Sequence, residues 1–91
     1  MMEGIFEWDE NKNLANIRKH GIDFLDARRV FSDPAAITFP SKGGRTEPRF
    51  LVVGRVGSRL VTVVFTMRGG RIRIISARRC RAQERRLYEY R

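Results

Sequence analysis

Two glycine-marked reversals set close together limit what this chain can fold into. Residues 49–56, 60–67 and 71–77 are rich in Val, Ile, Leu and Phe, and each reads as a strand. Gly57-Ser58 separates the first pair, and Arg68-Gly69-Gly70 the second. Gaps this short admit only tight turns, so the runs lie antiparallel and side by side. Leu60 to Met67 is almost continuously apolar, which suits a central strand. Gly54, inside the first run, is a candidate bulge.

Helical signals precede this meander. Phe6 and Trp8 alternate with Glu7 in a short strand-like stretch, and Asp9 can cap a helix there. Residues 10–19 read as helix, with Leu14, Ile17 and Ile22 on the apolar side and Asn11, Lys12, Asn16 and Lys19 polar; Gly21 is the stop. Asp23 opens a second helix, and Asp26 resembles the carboxylate of a capping box. Phe24, Ala27, Val30 and Phe31 fall at helical spacing toward the core, and Ser32-Asp33-Pro34 ends the segment. Residues 36–39 form a short strand, 40–48 a mobile polar loop around Ser41-Lys42-Gly43-Gly44-Arg45, and 79–90 a terminal helix. The expected order is β-α-α-β-β-β-β-α. The expected fold class is α+β: two N-terminal helices, an antiparallel sheet of about four strands and a C-terminal helix, the helices packed on one face of a single domain over residues 1–91.

Composition narrows the function. Of 91 residues, 19 are Lys or Arg and 10 are Asp or Glu, for a net charge of +9. Sixteen of the cations are Arg, the planar phosphate binder. Residues 1–44 carry six cations against seven anions, and residues 45–91 carry thirteen against three. The second half is thus a polyanion-binding surface for nucleic acid or an acidic partner. No apolar run approaches the ~18 residues of a membrane helix, and the acidic N-terminal stretch is unlike a secretory signal. One cysteine, Cys80, leaves no internal disulfide and fits a reducing cytoplasm. One His and one Cys make no zinc tetrad, no nucleotide-binding fingerprint occurs, and carboxylates are too sparse in the basic half for a two-metal nuclease site. No metal and no cofactor are expected. Metal-independent chemistry on RNA fits best, because the 2′-hydroxyl is an internal nucleophile.

Three constellations bear on such chemistry. In 71–79, strict alternation puts Ile72 and Ile74 on the core face and Arg71 and Arg73 on the other. Side chains two residues apart on a strand stand about 7 Å apart, close to a phosphate repeat, although a solvated outer face would look the same. Arg78, Arg79, Arg81, Arg85 and Arg86 extend this series. His20 is the only imidazole for acid–base work, with Lys19 beside it to stabilise a transition state; a helix-capping His20 is the bland alternative. Glu84 and Tyr88 share one side of the last helix. Glu84 is either a general base or a clamp ordering Arg81 and Arg85. Tyr88 either stacks on a base or packs on the sheet, and Trp8 reads as core.

Phe6-Glu7-Trp8-Asp9, Asn11-Lys12, Asn16, Lys19-His20-Gly21, Phe24, Ala27, Phe31 and Asp33-Pro34 resemble the opening of the BrnT toxin family. Glu47-Pro48-Arg49, Gly54, Thr66, Arg68, the run from Ile72 to Arg79, Glu84 and Tyr88 resemble its second half. The resemblance spans residues 6–90, and Cys80 departs from it by replacing Thr or a similar polar residue. It implies a RelE-like fold and a ribonuclease toxin of a bacterial type II toxin–antitoxin module, inhibiting translation. It also implies neutralisation by a DNA-binding, BrnA-like antitoxin that carries the complex to operator DNA. Toxins of this fold share no fixed catalytic set, so the assignment follows from side-chain chemistry: the expected catalytic residues are His20, Lys19, Arg73 and Arg78, with Glu84 and Tyr88 in support, and the expected RNA-binding residues are Arg68, Arg71, Arg79, Arg81 and Arg85. Two other readings stay open: a non-catalytic toxin of the ParE type acting on gyrase, and a basic module that only binds nucleic acid or antitoxin. The exposed sheet edge is a docking point for an antitoxin segment.

Overall fold

A computed structural model describes residues 5–42 and 46–90. The elements are β1 (Phe6–Glu7), α1 (Glu10–His20), α2 (Phe24–Ala27) running into a 3-10 helix (Arg28–Ser32), β2 (Ile37–Ser41), β3 (Arg49–Val56), β4 (Arg59–Arg68), β5 (Arg71–Arg79) and α3 (Ala82–Glu89). Both expected reversals hold, Val56 pairing with Arg59 and Arg68 with Arg71. Of the expected mobile loop, Gly43, Gly44 and Arg45 lie outside the described residues, and Ser41 belongs to β2.

The sheet has five strands in the order β1-β5-β4-β3-β2. β2 to β5 are antiparallel, but β1 joins β5 in parallel, with Phe6 opposite Ile72 and Glu7 opposite Arg73. The sheet is therefore mixed, not an antiparallel sheet of about four strands. No local turn signal announces a pairing between residues so far apart; it depends on how α1 docks.

Helices cover both faces, not one. Val52, Val61, Val63, Phe65, Ile74 and Ala77 pack with Phe6, Ile22, Phe24, Ala27 and Val30 in the main core. On the reverse face Val53 and Leu60 pack with Tyr88 of α3. The neighbouring residues Val52 and Val53 are both buried because β3 is covered on each side.

α1 corrects a second expectation. Leu14 is 46% exposed, whereas Asn13 and Asn16 are buried. Pairing between β1 and β5 stops at Glu7 and Arg73, which leaves the outer edge of β5 open beyond that point. Asn16 fills it: its Nδ2 donates to the Ala77 carbonyl (2.9 Å) and its Oδ1 accepts the Ala77 N–H (3.1 Å). Nδ2 also donates to the Ile22 carbonyl at 2.9 Å. Asn13 accepts the Phe24 N–H at 2.8 Å and donates to Asp23 at 3.0 Å, fixing the start of α2. Backbone groups that would otherwise be buried unpaired outrank the burial of one leucine.

The bulge lies in β5. Val64 pairs with Ser76 and Phe65 with Ile74, so Ile75 is the extra residue. Gly54 is in regular register with Val61. Its role is close approach: a Cβ there would lie 2.7 Å from Val30 Cγ2 and 3.2 Å from both Ala36 Cβ and Asp33 Oδ2. Gly54→Ala is expected to destabilise the protein by about 1–3 kcal/mol through overpacking of the 3-10 helix on β3. Urea unfolding measures this, and an unchanged midpoint would refute the tight contact.

Candidate active site

A groove of about 450 Å³ opens at the outer edge of β5, between α1 and the start of α3. Lys12, Lys19, His20, Ser76, Arg78 and Arg81 line it. Asp9 starts α1 by accepting the Asn11 N–H at 2.8 Å. Lys12 and Lys19 then stand two turns apart on the face that carries Asn16. Gly21 ends the helix in the left-handed region (φ 70), its N–H donating to the Ile17 carbonyl at 2.8 Å. Glycine thus performs the capping that His20 was a candidate for. Among the described residues the His20 side chain has no hydrogen-bond partner.

The bulge at Ile75 supplies the opposite wall. Ile72 and Ile74 face the main core and Arg71 and Arg73 face away, as alternation requires. Unbroken alternation would then send Ala77 outward and Arg78 inward. The extra residue resets the phase, so Ala77 is buried in the core and Ser76 and Arg78 reach the groove.

Arg78 and Glu84 form a bidentate pair, Nη1–Oε1 at 2.8 Å and Nη2–Oε2 at 2.7 Å, with side chains 16% and 10% exposed. Glu84 also accepts the Thr62 hydroxyl at 2.8 Å and the Arg81 backbone N–H at 2.9 Å. Burial works against its charge, but the bonds from Arg78, Arg81 and Thr62 outweigh it and bring Glu84 to about 2. A carboxylate this acidic is a poor proton acceptor and a good clamp. It clamps Arg78 and the backbone of Arg81, not the Arg81 and Arg85 side chains; Arg85 lies 3.5 Å from Glu89 instead.

Residues 8–84 match the family model described as the ribonuclease toxin BrnT of type II toxin–antitoxin systems. The chain belongs to this family. BrnT membership makes it a type II ribonuclease toxin and implies a cognate antitoxin. No curated protein matches the chain. Among the described residues no helix is long and apolar enough to cross a membrane, and no three His, Cys, Asp or Glu side chains gather as metal ligands.

The BrnT fold brings Lys19, His20, Arg78 and Arg81 together, with Glu84 behind Arg78. It does not bring Arg73 there. Glu7 bridges Arg73 at 2.9 Å and Arg71 at 3.3 Å, and Glu47 holds Arg68 through two bonds of 3.0 and 2.8 Å. Tyr88 is buried on the reverse face, its hydroxyl donating to Asp33 at 2.7 Å. That bond, then burial, raises the Tyr88 pKa. Asp33 also accepts the N–H groups of Ala35 and Arg55; against the cost of burial, these bonds hold it below the ordinary carboxylate range. Trp8 packs edge-on to Phe24 at 6.0 Å, the core position expected of it. Lys12 and Ser76 were not anticipated in the groove. The seven-residue spacing to Lys19 marks Lys12; nothing in the sequence marks Ser76, whose direction depends on the bulge.

The Glu84 clamp has a pH signature. Its pKa falls from 4.5 to about 2 on folding. Its stabilisation is therefore complete above pH 4.5 and lost as pH falls toward 2. Glu84→Gln is expected to cost about 2 kcal/mol near neutrality. In urea unfolding from pH 7 to pH 2.5, the gap between variant and wild type should close as Glu84 protonates. A constant gap would contradict the clamp.

Proposed function

We propose that this BrnT chain is a metal-independent endoribonuclease that cuts RNA by attack of the 2′-hydroxyl on the adjacent phosphate. The observation that supports it is the unpaired His20 imidazole in one groove with Lys19, Arg78 and Arg81. A bond forms between the 2′ oxygen and phosphorus, and the bond to the 5′ oxygen breaks. His20 accepts the 2′-hydroxyl proton, and Lys19 protonates the leaving 5′ oxygen. Arg81 and Arg78 stabilise the charge on the non-bridging oxygens. Of the five guanidinium N–H donors, Arg78 uses two on Glu84 and one on the Arg79 carbonyl, so two remain for phosphate. Glu84 is a positioning residue, and Tyr88 supports the α3 packing.

The cognate antitoxin is proposed to be a BrnA-like DNA-binding protein that carries operator contact for the complex. β2 is an open sheet edge on which a segment of it can dock. A recess of about 530 Å³ between β2, β3 and α3, lined in part by Phe39, Leu51 and Leu87, supplies apolar contact.

The test is cleavage of a defined RNA by purified protein in EDTA, with the ends identified. The expected products carry a 2′,3′-cyclic phosphate and a 5′-hydroxyl, and a 2′-deoxy nucleotide at the cut position abolishes cleavage. His20→Ala is expected to lower the rate by about 10²–10⁴-fold without loss of fold. A magnesium requirement, or an unchanged His20→Ala rate, sinks the mechanism. Growth arrest on expression without new RNA 5′ ends, together with inhibition of gyrase, would favour the ParE-type reading.

A further inference from the structure

A second cationic recess, of about 240 Å³, lies where the β3–β4 turn meets the end of β5 and α3. It is lined by Ser58, Arg59, Leu60, Arg79, Cys80 and Arg85. We propose that it binds a backbone phosphate of the same RNA strand that occupies the groove, a few nucleotides from the cut. This deepens the ribonuclease reading and rests on it.

Three observations carry the proposal. The first is how the arginines are employed. Arg68, Arg71, Arg73 and Arg78 are each held by a carboxylate within the chain. Arg59 and Arg79 make no ion pair among the described residues, and the Arg85 contact with Glu89 is 3.5 Å long between half-exposed groups. A guanidinium paired with a carboxylate has fewer donors left for a phosphate; an unpaired one offers all five. The second is composition. No carboxylate lines the recess, and burial pushes the Cys80 thiol up, which keeps it neutral. Three guanidinium groups and the Ser58 hydroxyl are a phosphate-binding set.

The third is continuity with the groove. Arg78 and Arg81 line the groove, and Arg79 and Cys80, between them, line the recess. Cys80 donates its N–H to the Leu60 carbonyl at 3.2 Å, pinning this segment to β4. Both sites are thus built on the junction of β5 and α3, the segment that an RNA strand leaving the groove would cross under this proposal. An acidic peptide is the poorer fit, because protein docking relies on apolar anchors. The apolar recess is elsewhere, beside Phe39, Leu51 and Leu87.

The experiment measures affinity of the full chain for a fluorescein-labelled 2′-O-methyl RNA, which cannot be cut by this chemistry, across a KCl series. Arg59→Ala/Arg79→Ala is expected to weaken binding about tenfold at low salt and flatten the slope of log affinity against log salt by about 0.7, the value of one phosphate on a single strand. Both side chains are exposed, and a thermal melt checks the fold; should that variant fail to fold, Ser58→Ala/Arg85→Gln takes its place. An unchanged slope overturns the proposal. So does a slope that flattens for Arg71→Ala/Arg73→Ala and not for the recess variant. Loss of poly-glutamate binding with RNA binding retained would make the recess a protein site and also overturn it. Cleavage of unmodified RNA is scored separately: normal salt-dependent binding without cleavage defeats the ribonuclease mechanism and leaves the phosphate site standing.

Discussion

The carboxamide of Asn16 completes a strand edge that has run out of strand. β1 supplies only two residues to the outer side of β5. Beyond Arg73 the backbone of Ala77 would face a helix with nothing to bond. Asn16 presents a donor and an acceptor in the geometry of a peptide group and takes both Ala77 positions. A third bond to the Ile22 carbonyl ties in the link between α1 and α2. The position of the helix along the sheet is thereby set, and with it the distance of Lys19 and His20 from Arg78. Side-chain amide bonds to a buried backbone are unforgiving, because loss of either partner strands a polar group away from water. The site and the fold are held by one residue.

The second constraint is the division of the arginines between structure and surface. A chain of net charge +9 invites the picture of a uniform cationic face. Three glutamates break it up. Glu7 takes Arg71 and Arg73, Glu47 takes Arg68, and Glu84 takes Arg78. The first two pairings join exposed or partly exposed groups and contribute little stability. Their larger consequence is to lower the potential over the start of β5. The third is mostly buried, with both Glu84 oxygens bonded, and it orders the groove. Among the described residues, positive charge without a carboxylate partner includes Arg59, Arg79 and Arg81 at the other end of β5 and Lys12 and Lys19 across the groove.

Much of the fold was legible in local chemistry. Short glycine-bearing gaps between apolar runs required hairpins, and period-two alternation correctly placed Ile72 and Ile74 toward the core. Asp9 and Gly21 bounded α1 as caps do. Phe24, Ala27 and Val30 were readable as core from helical spacing. The errors share a cause. Leu14 looked buried and Asn16 exposed because hydrophobicity was the only available guide to a helix face. Glu84 looked like a partner for Arg81 and Arg85, its neighbours along the helix, whereas its partner stands at the end of the preceding strand. A glycine marks position 54 as the candidate bulge, but the bulge occurs at Ile75, where the register between β4 and β5 shifts without any special residue.

The sequence by itself determined the antiparallel meander, the two helix boundaries that frame α1, the excess of arginine, and the presence of a single imidazole. Each depends on forces acting over a few residues: turn sterics, capping and alternation. The tertiary structure alone decided the parallel pairing of β1, the phase of β5 beyond Ile75 and the choice of carboxylate for each arginine. These depend on contacts between residues far apart in the chain. His20 and Arg78 stand 58 positions apart, and no local rule relates them. They meet because a helix carrying one is bonded to the strand edge that carries the other.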